Sequence, residues 1–550
     1  MSQVLASGLS GLLAFQRALD VTSHNIANAN TEGYSRQRVE FATLPASPFS
    51  NGWIGKGVDV STVRRMVDDF LVTQTRTSSS SLERLSTFAT QSERVSKLFV
   101  DGDNGLSGAL QKFQNAIQGV ATEPTSVAAR QVLIGQADGL VQRLDYVDTQ
   151  LRSIDGETAS QVGIEAAEIN SIASGIARLN KEITAGIGAT GQPPNDLLDQ
   201  RDKLIDQLAS KVTINVIPQD AAVLNVFIGK GQALVLNEKA ASLSVQPDAY
   251  DGSRPRLVLS GGQGTSDVTS AISGGALGGL LDFRSQVLEP ARADLGRLAA
   301  GVAEAVNTQH RAGVDLRGSF GTDFFATGPV DSVERSTNAG SADVTATITS
   351  ASALTGADYE LSYNGTAWSM KRLDSGATVT LAGTGTVADP LRADGLSMVV
   401  SGAPASGDTV LVRPTRELIQ GMSVLVSDAT RVAAAAPIAA SAAASNVGGA
   451  TITRGEVLDP ANAALKNATT IQFLTPTTYS VNGAGSFTYT SGQPIDINGW
   501  RVKIAGSPAV GDRFTVTDSS NATGDNRNML AMTQAMQAPR LDGGTTSIQA

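Results

Sequence analysis

The chain has 550 residues, a length at which roughly three or four domains are expected rather than one core. Its formal net charge is -10, which disfavours nucleic acid and anionic membranes as partners. Cysteine is absent, which excludes disulfides, thiolate catalysis and thiolate metal sites.

The N-terminal segment repeats apolar residues mostly at steps of seven, which predicts an amphipathic helix ending in the asparagine-rich stretch 25–30. The members of this leucine stripe are Leu5, Leu9, Leu12, Leu19 and Ile26. Two interpretations remain open: the helix packs within its own domain, or other chain segments or other subunits complete the stripe. The segment lacks the basic start and unbroken apolar block of a secretory signal, so an exported chain would use a route without a cleaved signal.

Helical periodicity continues through the first third of the chain. It is strongest after Pro124, where apolar residues alternate steps of four and three. This spacing, which is interrupted near 156–163, predicts a long coiled-coil helix that ends at Gly186. The other helices of this region are expected at about 66–99, 106–120 and 196–211.

Between residues 213 and 261 the period switches towards two, which predicts short strands or hairpins. A helix then returns, with apolar residues at steps of seven from Leu281 to Val302. Pro290 lies within that segment and is expected to kink it.

From about residue 341 the composition shifts to glycine, threonine, serine and valine, and short alternating strands are expected. The stretch 395–412, GLSMVVSGAPASGDTVLV, matches 499–516, GWRVKIAGSPAVGDRFTV. This internal repeat predicts two related β modules. The alanine-rich stretch around Pro437 is expected to link them or to form a short helix-like crossing.

The predicted fold class is multidomain α+β: an elongated α-helical, coiled-coil body with a β-hairpin insertion and two small β-rich outer domains. The expected domains are an N-terminal helix and motif at 1–40, a helical rod domain at 41–335 with a hairpin region at 212–265, β-rich domains at 336–432 and 433–525, and a return to the helical domain at 526–550.

No catalytic, cofactor or metal site is predicted. His24 and His310 lie far apart in sequence, and a structural role is expected for both. The stretch 101–104 resembles the opening of a calcium loop, but Lys112 occupies the position of the required glutamate. Phosphate loops, nucleophile elbows and paired-histidine zinc motifs are absent from the sequence, so the chain is not expected to be an enzyme.

Residues 7–41, SGLSGLLAFQRALDVTSHNIANANTEGYSRQRVEF, resemble the N-terminal motif of the axial proteins of the bacterial flagellum. The distinctive residues of that motif include Asn25, Asn28, Asn30, Gly33 and Tyr34. Its continuation, Ser-Arg-Gln, is more similar to the hook-associated protein 1 family than to hook proteins. The segments that strengthen this resemblance are 195–210, 315–325 and 524–532.

The resemblance implies a structural adaptor at the junction between hook and filament, which self-associates into a ring through terminal helices. It further implies hook protein, a second hook-associated junction protein and a type III export chaperone as partners, without nucleic acid or membrane. The chain would act outside the cell, on the flagellum, after export without a cleaved signal. The leucine stripe and the five motif residues would form the assembly interface.

Members of that family finish with a long amphipathic helix, whereas this sequence stops at Ala550. A truncated chain with an exposed or borrowed leucine stripe is therefore expected. Two alternatives remain: a hook or distal rod structural protein, and a surface adhesin or glycan-binding protein whose β modules bind a ligand.

Overall fold

The computed structural model describes residues 2–49, 52–99, 105–219, 223–250, 254–262, 264–541 and 543–547. The stretch 101–104 that resembles a calcium loop lies outside these residues, as does Ala550. The chain forms two compact units. Unit 1 comprises Met1–Arg94 and Ile154–Leu288, and unit 2 comprises Val95–Ser153 and Glu289–Ala550.

The described residues contain eight α-helices. They are α1 (Ser2–Ala27), α2 (Asp69–Phe99), α3 (Leu106–Thr122), α4 (Val127–Thr190), α5 (Asn195–Lys211), α6 (Gly275–Phe283), α7 (Glu289–Ala312) and α8 (Arg527–Gln537). The expected helices at 66–99, 106–120 and 196–211 are confirmed by α2, α3 and α5. Within the described residues, no helix has the length and hydropathy needed to cross a membrane.

The long helix predicted after Pro124 is confirmed, and the interruption of the apolar spacing near 156–163 does not end it, because α4 continues for 64 residues. Gly156 and Gly163 each cost about 1 kcal/mol in a helix interior. Val162 and Ile169 are almost fully buried on the neighbouring turns, and burial of such side chains is worth about 1.5–3 kcal/mol each. Packing therefore outweighs the propensity of the glycines, and the helix also passes Gly186.

Unit 1 contains eleven strands in the described residues. They are β1 (Gln37–Thr43), β2 (Ser47–Phe49), β3 (Gly52–Ile54), β4 (Val58–Arg65), β5 (Ile214–Pro218), β6 (Leu224–Ile228), β7 (Gln232–Leu236), β8 (Lys239–Ala240), β9 (Ser242–Pro247), β10 (Pro255–Gly261) and β11 (Gly264–Asp267). β1 pairs with β4 and β2 with β3, both antiparallel. β5 to β8 form one sheet in sequence order, and β10 lies between β9 and β11 in another.

The core of unit 1 lies where the later part of α4 and α5 pack against these two sheets and α6. Ile169, Ile205, Val226, Leu257 and Leu277 are all buried in it. The period-two segments between 213 and 261 are thus confirmed as strands. After α6 comes a π-helical turn, Arg284–Leu288, and Pro290 lies in the first turn of α7, so the kink expected at Pro290 stays a prediction.

Unit 2 contains the remaining strands, most of which form two β modules. Those of the first region are β12 (Phe325–Ala326), β13 (Asp331–Glu334), β14 (Asp343–Ile348), β15 (Tyr359–Tyr363), β16 (Trp368–Arg372), β17 (Thr378–Val379), β18 (Leu391–Ala393), β19 (Leu396–Ser401), β20 (Thr409–Arg413) and β21 (Ser423–Val424). Those of the second are β22 (Ile438–Ala442), β23 (Thr451–Ile452), β24 (Glu456–Val457), β25 (Thr469–Thr475), β26 (Thr478–Val481), β27 (Ala484–Thr488), β28 (Pro494–Ile497), β29 (Trp500–Ala505) and β30 (Arg513–Asp518), followed by β31 (Pro539–Leu541) and β32 (Thr546–Ser547).

The two modules have the same strand order. The first has a five-stranded sheet, β13-β20-β15-β16-β17, and the second has β22-β30-β25-β26-β27. Each module also has a smaller sheet. In the first, β19 lies between β14 and β18, and in the second, β29 lies between β23 and β24. Each module has its own buried core, around Tyr359 in the first and Trp500 in the second. The first sheet takes β13 from the chain before the expected domain border at 336.

The alanine-rich stretch before Pro437 is extended and buried, not helix-like. Buried side chains hold its backbone: Asn528 of α8 donates to the carbonyl oxygen of Ala433 at 2.6 Å, and Arg130 of α4 donates to that of Val432. Polar backbone groups in a buried strand need such partners. The predicted class, multidomain α+β, is confirmed by these elements.

Candidate assembly interface

Helix α1 packs on its own chain through its small residues. Ala14 is only 3% exposed, and the N–H of Val58 donates to Ser10 Oγ at 3.2 Å. A Cβ atom on Gly57 would lie 2.0 Å from Ser10 Oγ, so the approach to the β1–β4 hairpin requires a glycine there. This face of α1 is therefore occupied by the hairpin.

The leucine stripe lies on the other side of α1 and is exposed along its whole length. Its exposed fractions are 70% for Leu5, 58% for Leu9, 64% for Leu12, 68% for Leu19 and 73% for Ile26. A surface helix normally turns its large apolar residues inward. This helix does the reverse and presents its large apolar residues to solvent.

Sequence reasoning missed further exposed apolar residues in unit 1. Trp53 in β3 is 73% exposed, and Phe70 at the start of α2 is 74% exposed. Phe15 of α1 lies beside Phe41 of β1, with 5.9 Å between the ring centroids. Trp53 lies in a hairpin that is too short to show a periodic pattern. The only signal for it in the sequence was an aromatic residue next to a turn-forming glycine, Gly52.

Asn25 fixes the end of α1 to the first strand. Its Nδ2 donates to the carbonyl oxygen of Gln37 at 2.9 Å, and its Oδ1 accepts from the N–H of Gln37 at 2.8 Å. The hydroxyl of Tyr34 donates to the same Oδ1 at 2.7 Å and lies 3.1 Å from His24 Nδ1. An asparagine suits this position because one side chain both donates and accepts.

The other motif residues shape the turn between α1 and β1. Asn28 Nδ2 donates to the carbonyl oxygen of His24 at 3.0 Å, and the backbone N–H of Asn28 donates to the same oxygen at 3.1 Å. Gly33 has a φ of +83°, a conformation that glycine adopts without strain. Asn30 lies exposed in the same turn. The structure therefore brings Asn25, Asn28 and Tyr34 into one internal network, while Asn30 stays outside it.

Helix α5 anchors this turn. The N–H of Ser35 donates to Asp199 Oδ2 at 3.1 Å, and Arg65 Nη1 lies 2.6 Å from Asp199 Oδ1 and 2.8 Å from Asp202 Oδ2. Burial, and then the negative charge of Asp199, raise the pKa of Tyr34, so its hydroxyl remains a donor. Sequence reasoning did not identify Arg65 or Asp199, because residues so far apart in the chain carry no local pattern.

The exposed face of the site is apolar, whereas Asn25, Asn28 and Tyr34 fix the end of α1 through hydrogen bonds within the chain. Within the described residues, no group of three or more His, Cys, Asp or Glu side chains could hold a metal ion. His24 is exposed in the network at the end of α1, and His310 is buried in unit 2.

Comparisons with known proteins match most of the chain. Residues 92–325 match the model of the flagellar hook-associated protein FlgK helical domain. The flagellar hook-associated protein 1 of Escherichia coli K12 is 35% identical over 79% of this chain and 80% of its own length. The protein of the same name from Salmonella typhimurium LT2 is 36% identical over 79% of each chain.

The chain belongs to the flagellar hook-associated protein 1 family.

A solved structure of the family agrees with this assignment. The flagellar hook junction protein FlgK from Burkholderia pseudomallei has a TM-score of 0.74 and 29% identity, and covers 87% of this chain and 93% of its own. Residues 333–414, the first β module, match the D2-like domain of hook-associated protein 1. Residues 5–34, which contain the leucine stripe, match the flagella basal body rod protein model. Membership in this family makes the chain a structural component of the bacterial flagellum.

Proposed function

We propose that the leucine stripe of α1 is the surface through which this chain joins other axial subunits at the junction between hook and filament. The chain is a structural junction protein, as its family is. The observation that carries the proposal is the reversed helix: α1 binds its own hairpin through small residues and leaves its large apolar residues exposed.

The magnitude of the hydrophobic gain supports a shared interface. Burying the five stripe residues, each about two thirds exposed, would contribute roughly 5–10 kcal/mol. Association costs about 4–15 kcal/mol in lost translational and rotational freedom. The stripe alone is therefore marginal, and stable incorporation requires further contacts, for which Trp53 and Phe70 are two of the exposed candidates in unit 1.

The motif residues act indirectly in this proposal. Asn25, Asn28, Gly33 and Tyr34 hold the turn that sets the direction of α1, and the exposed Asn30 adds to the contact surface. The partners are other copies of this chain in a ring, hook protein, and a second hook-associated junction protein. An export chaperone binds the chain before it leaves the cell without a cleaved signal. The role is mechanical, without catalysis.

The test is a double substitution in the stripe, Leu12→Asp with Leu19→Asp. Both residues are exposed, so the isolated chain should fold normally, while burial of two carboxylates in an apolar contact is strongly unfavourable. We expect loss of the chain from purified flagella and loss of motility. Circular dichroism and thermal unfolding of the isolated variant check its fold.

The matched control adds the same charge to the same helix outside the stripe, as Ala6→Asp with Thr22→Asp. Both positions are exposed and lie on the flanks of α1. The control should retain motility. Normal incorporation of the Leu12→Asp, Leu19→Asp variant would disprove the proposed interface.

A further inference from the structure

The two β modules share one turn architecture, built around an inward carboxylate. In the first module Asp408 accepts from the backbone N–H groups of Ala339, Gly340 and Ala405. In the second, Asp512 accepts in the same way from Val447, Gly448 and Ala509. The turns that these carboxylates hold are therefore equivalent, and the side chains at matching positions of the two modules can be compared directly.

Further hydrogen bonds fix the residue correspondence. Asn338 pairs with the backbone of Thr409 as Asn446 does with Arg513. The N–H of Gly407 donates to the carbonyl oxygen of Tyr363, and the N–H of Gly511 donates to the carbonyl oxygen of Phe473, both at 2.8 Å. The equivalent pairs at this end of the modules are thus Ala339 and Val447, Asn364 and Leu474, and Ser406 and Val510.

The exposed residues at these positions differ in character. The first module has alanine, asparagine and serine, as expected for a solvent-exposed turn. The second has apolar side chains at all three, with exposed fractions of 82% for Val447, 43% for Leu474 and 64% for Val510. A single exposed valine needs no explanation, but three apolar side chains at one end of a module suggest a contact.

The surrounding segments carry no charge. We call residues 443–449, 474–478 and 505–511 the tip of the second module; they contain no ionisable side chain. Of the two charged residues that follow the last of these segments, Asp512 is 2% exposed and directs its oxygens to backbone N–H groups, and Arg513 is exposed at the border of the tip. On a chain of net charge -10, an uncharged apolar surface is where two copies can meet without like-charge repulsion.

We propose that the tip of the second module binds a neighbouring copy of this chain in the assembled flagellum. The chemistry fits that occupant best. A membrane surface or nucleic acid would require cationic side chains, and the tip has none. A glycan is usually held by aromatic rings and convergent polar groups, whereas the exposed side chains here are aliphatic. The proposal rests on the proposed function, since it requires assembly of the chain in a flagellum.

The absence of cysteine allows a site-specific test. Ser507→Cys places one thiol at the exposed tip, and flagella that carry this variant are labelled with benzophenone maleimide and irradiated. We expect a crosslinked product that mass spectrometry identifies as two copies of this chain. Mixed ¹⁴N and ¹⁵N copies in one flagellum establish that the crosslink is intermolecular. The matched control is Ala403→Cys, the equivalent exposed position of the first module, which should give little product.

The second arm replaces the tip residues by those of the first module: Val447→Ala, Leu474→Asn and Val510→Ser. All three side chains are exposed, so the variant should fold. We expect the yield of the Ser507→Cys crosslink to fall about tenfold, which corresponds to about 1.4 kcal/mol of contact free energy. A crosslink to another flagellar protein, an unchanged yield, or no crosslink in flagella that contain the chain would overturn the proposal. Absence of the chain from flagella would instead count against the proposed function.

Discussion

Acidification is expected to loosen the buried stretch at Ala433 through His310 of α7. His310 is fully buried, and its Nδ1 lies 2.6 Å from the carbonyl oxygen of Thr322. Its Nε2 accepts from the N–H of Ala433 at 3.0 Å. A carbonyl oxygen can only accept, so Nδ1 carries the proton and Nε2 does not. A second proton on Nε2 would oppose the Ala433 N–H and break that bond.

The surroundings of His310 determine the direction in which its pKa shifts. Burial lowers the pKa of His310 below the usual 6.5, and Arg130 acts in the same direction. The carbonyl of Thr322 and the carboxylates of Asp315 and Asp323 oppose the shift without cancelling it. The unfolded chain therefore binds a proton at a higher pH than the folded chain. The stabilisation is complete above pH 6.5 and is lost as the pH falls towards the folded pKa, by at most about 1.4 kcal/mol per pH unit.

Hydrogen exchange measures this loss where it occurs. Peptides that cover residues 430–436 are compared between pH 7.5 and 5.5, with correction for the intrinsic exchange rate. In the wild-type chain protection should be unchanged down to about pH 6.5 and should then fall by up to about tenfold per pH unit. His310→Gln keeps a donor and an acceptor without a titrating proton, so its protection should be independent of pH. The matched control, His24→Gln, changes an exposed histidine of unit 1 and should behave as wild type. An equal pH dependence in wild type and His310→Gln would refute this reasoning.

Two further substitutions test the packing of single residues. Asn25→Ala removes the bonds that fix the end of α1 and should cost about 1–3 kcal/mol, seen as faster proteolysis at 28–36, while exposed Asn30→Ala should have little effect. Gly296→Ala would place its Cβ 2.3 Å from the carbonyl oxygen of Thr415 and should destabilise unit 2 by about 1–3 kcal/mol in thermal unfolding. Gly135→Ala in α4 meets nothing within 4 Å and should be neutral or stabilising.

Periodicity made most of the helical part predictable. The heptad spacing after Pro124 gave the existence of α4, and the switch to period two gave the strands after Thr213. The interrupted spacing near Gly156 and Gly163 does not break α4, because glycine propensity is only a local preference. The burial that overrides it comes from α5 and two sheets that a window of sequence does not contain.

The candidate site was predictable only in part. The leucine stripe follows from spacing, but its exposure does not, since the same heptads suit a buried helix. The stripe is exposed because the opposite, small-residue face of α1 around Ala14 packs on the β1–β4 hairpin. The roles of Asn25 and Tyr34 were equally hidden, because their partners include Gln37 and, through Ser35, the distant Asp199.

The central claim is that other subunits cover the leucine stripe in the flagellum. Since the chain has no cysteine, Leu19→Cys provides a single thiol within the stripe, and Ala6→Cys provides one on the flank of the same helix. Maleimide labelling is compared between the isolated chain and purified flagella. We predict that the thiol at position 19 reacts freely in the isolated chain and becomes inaccessible in flagella, with a smaller change at position 6. Equal reactivity of position 19 in both states would contradict the account.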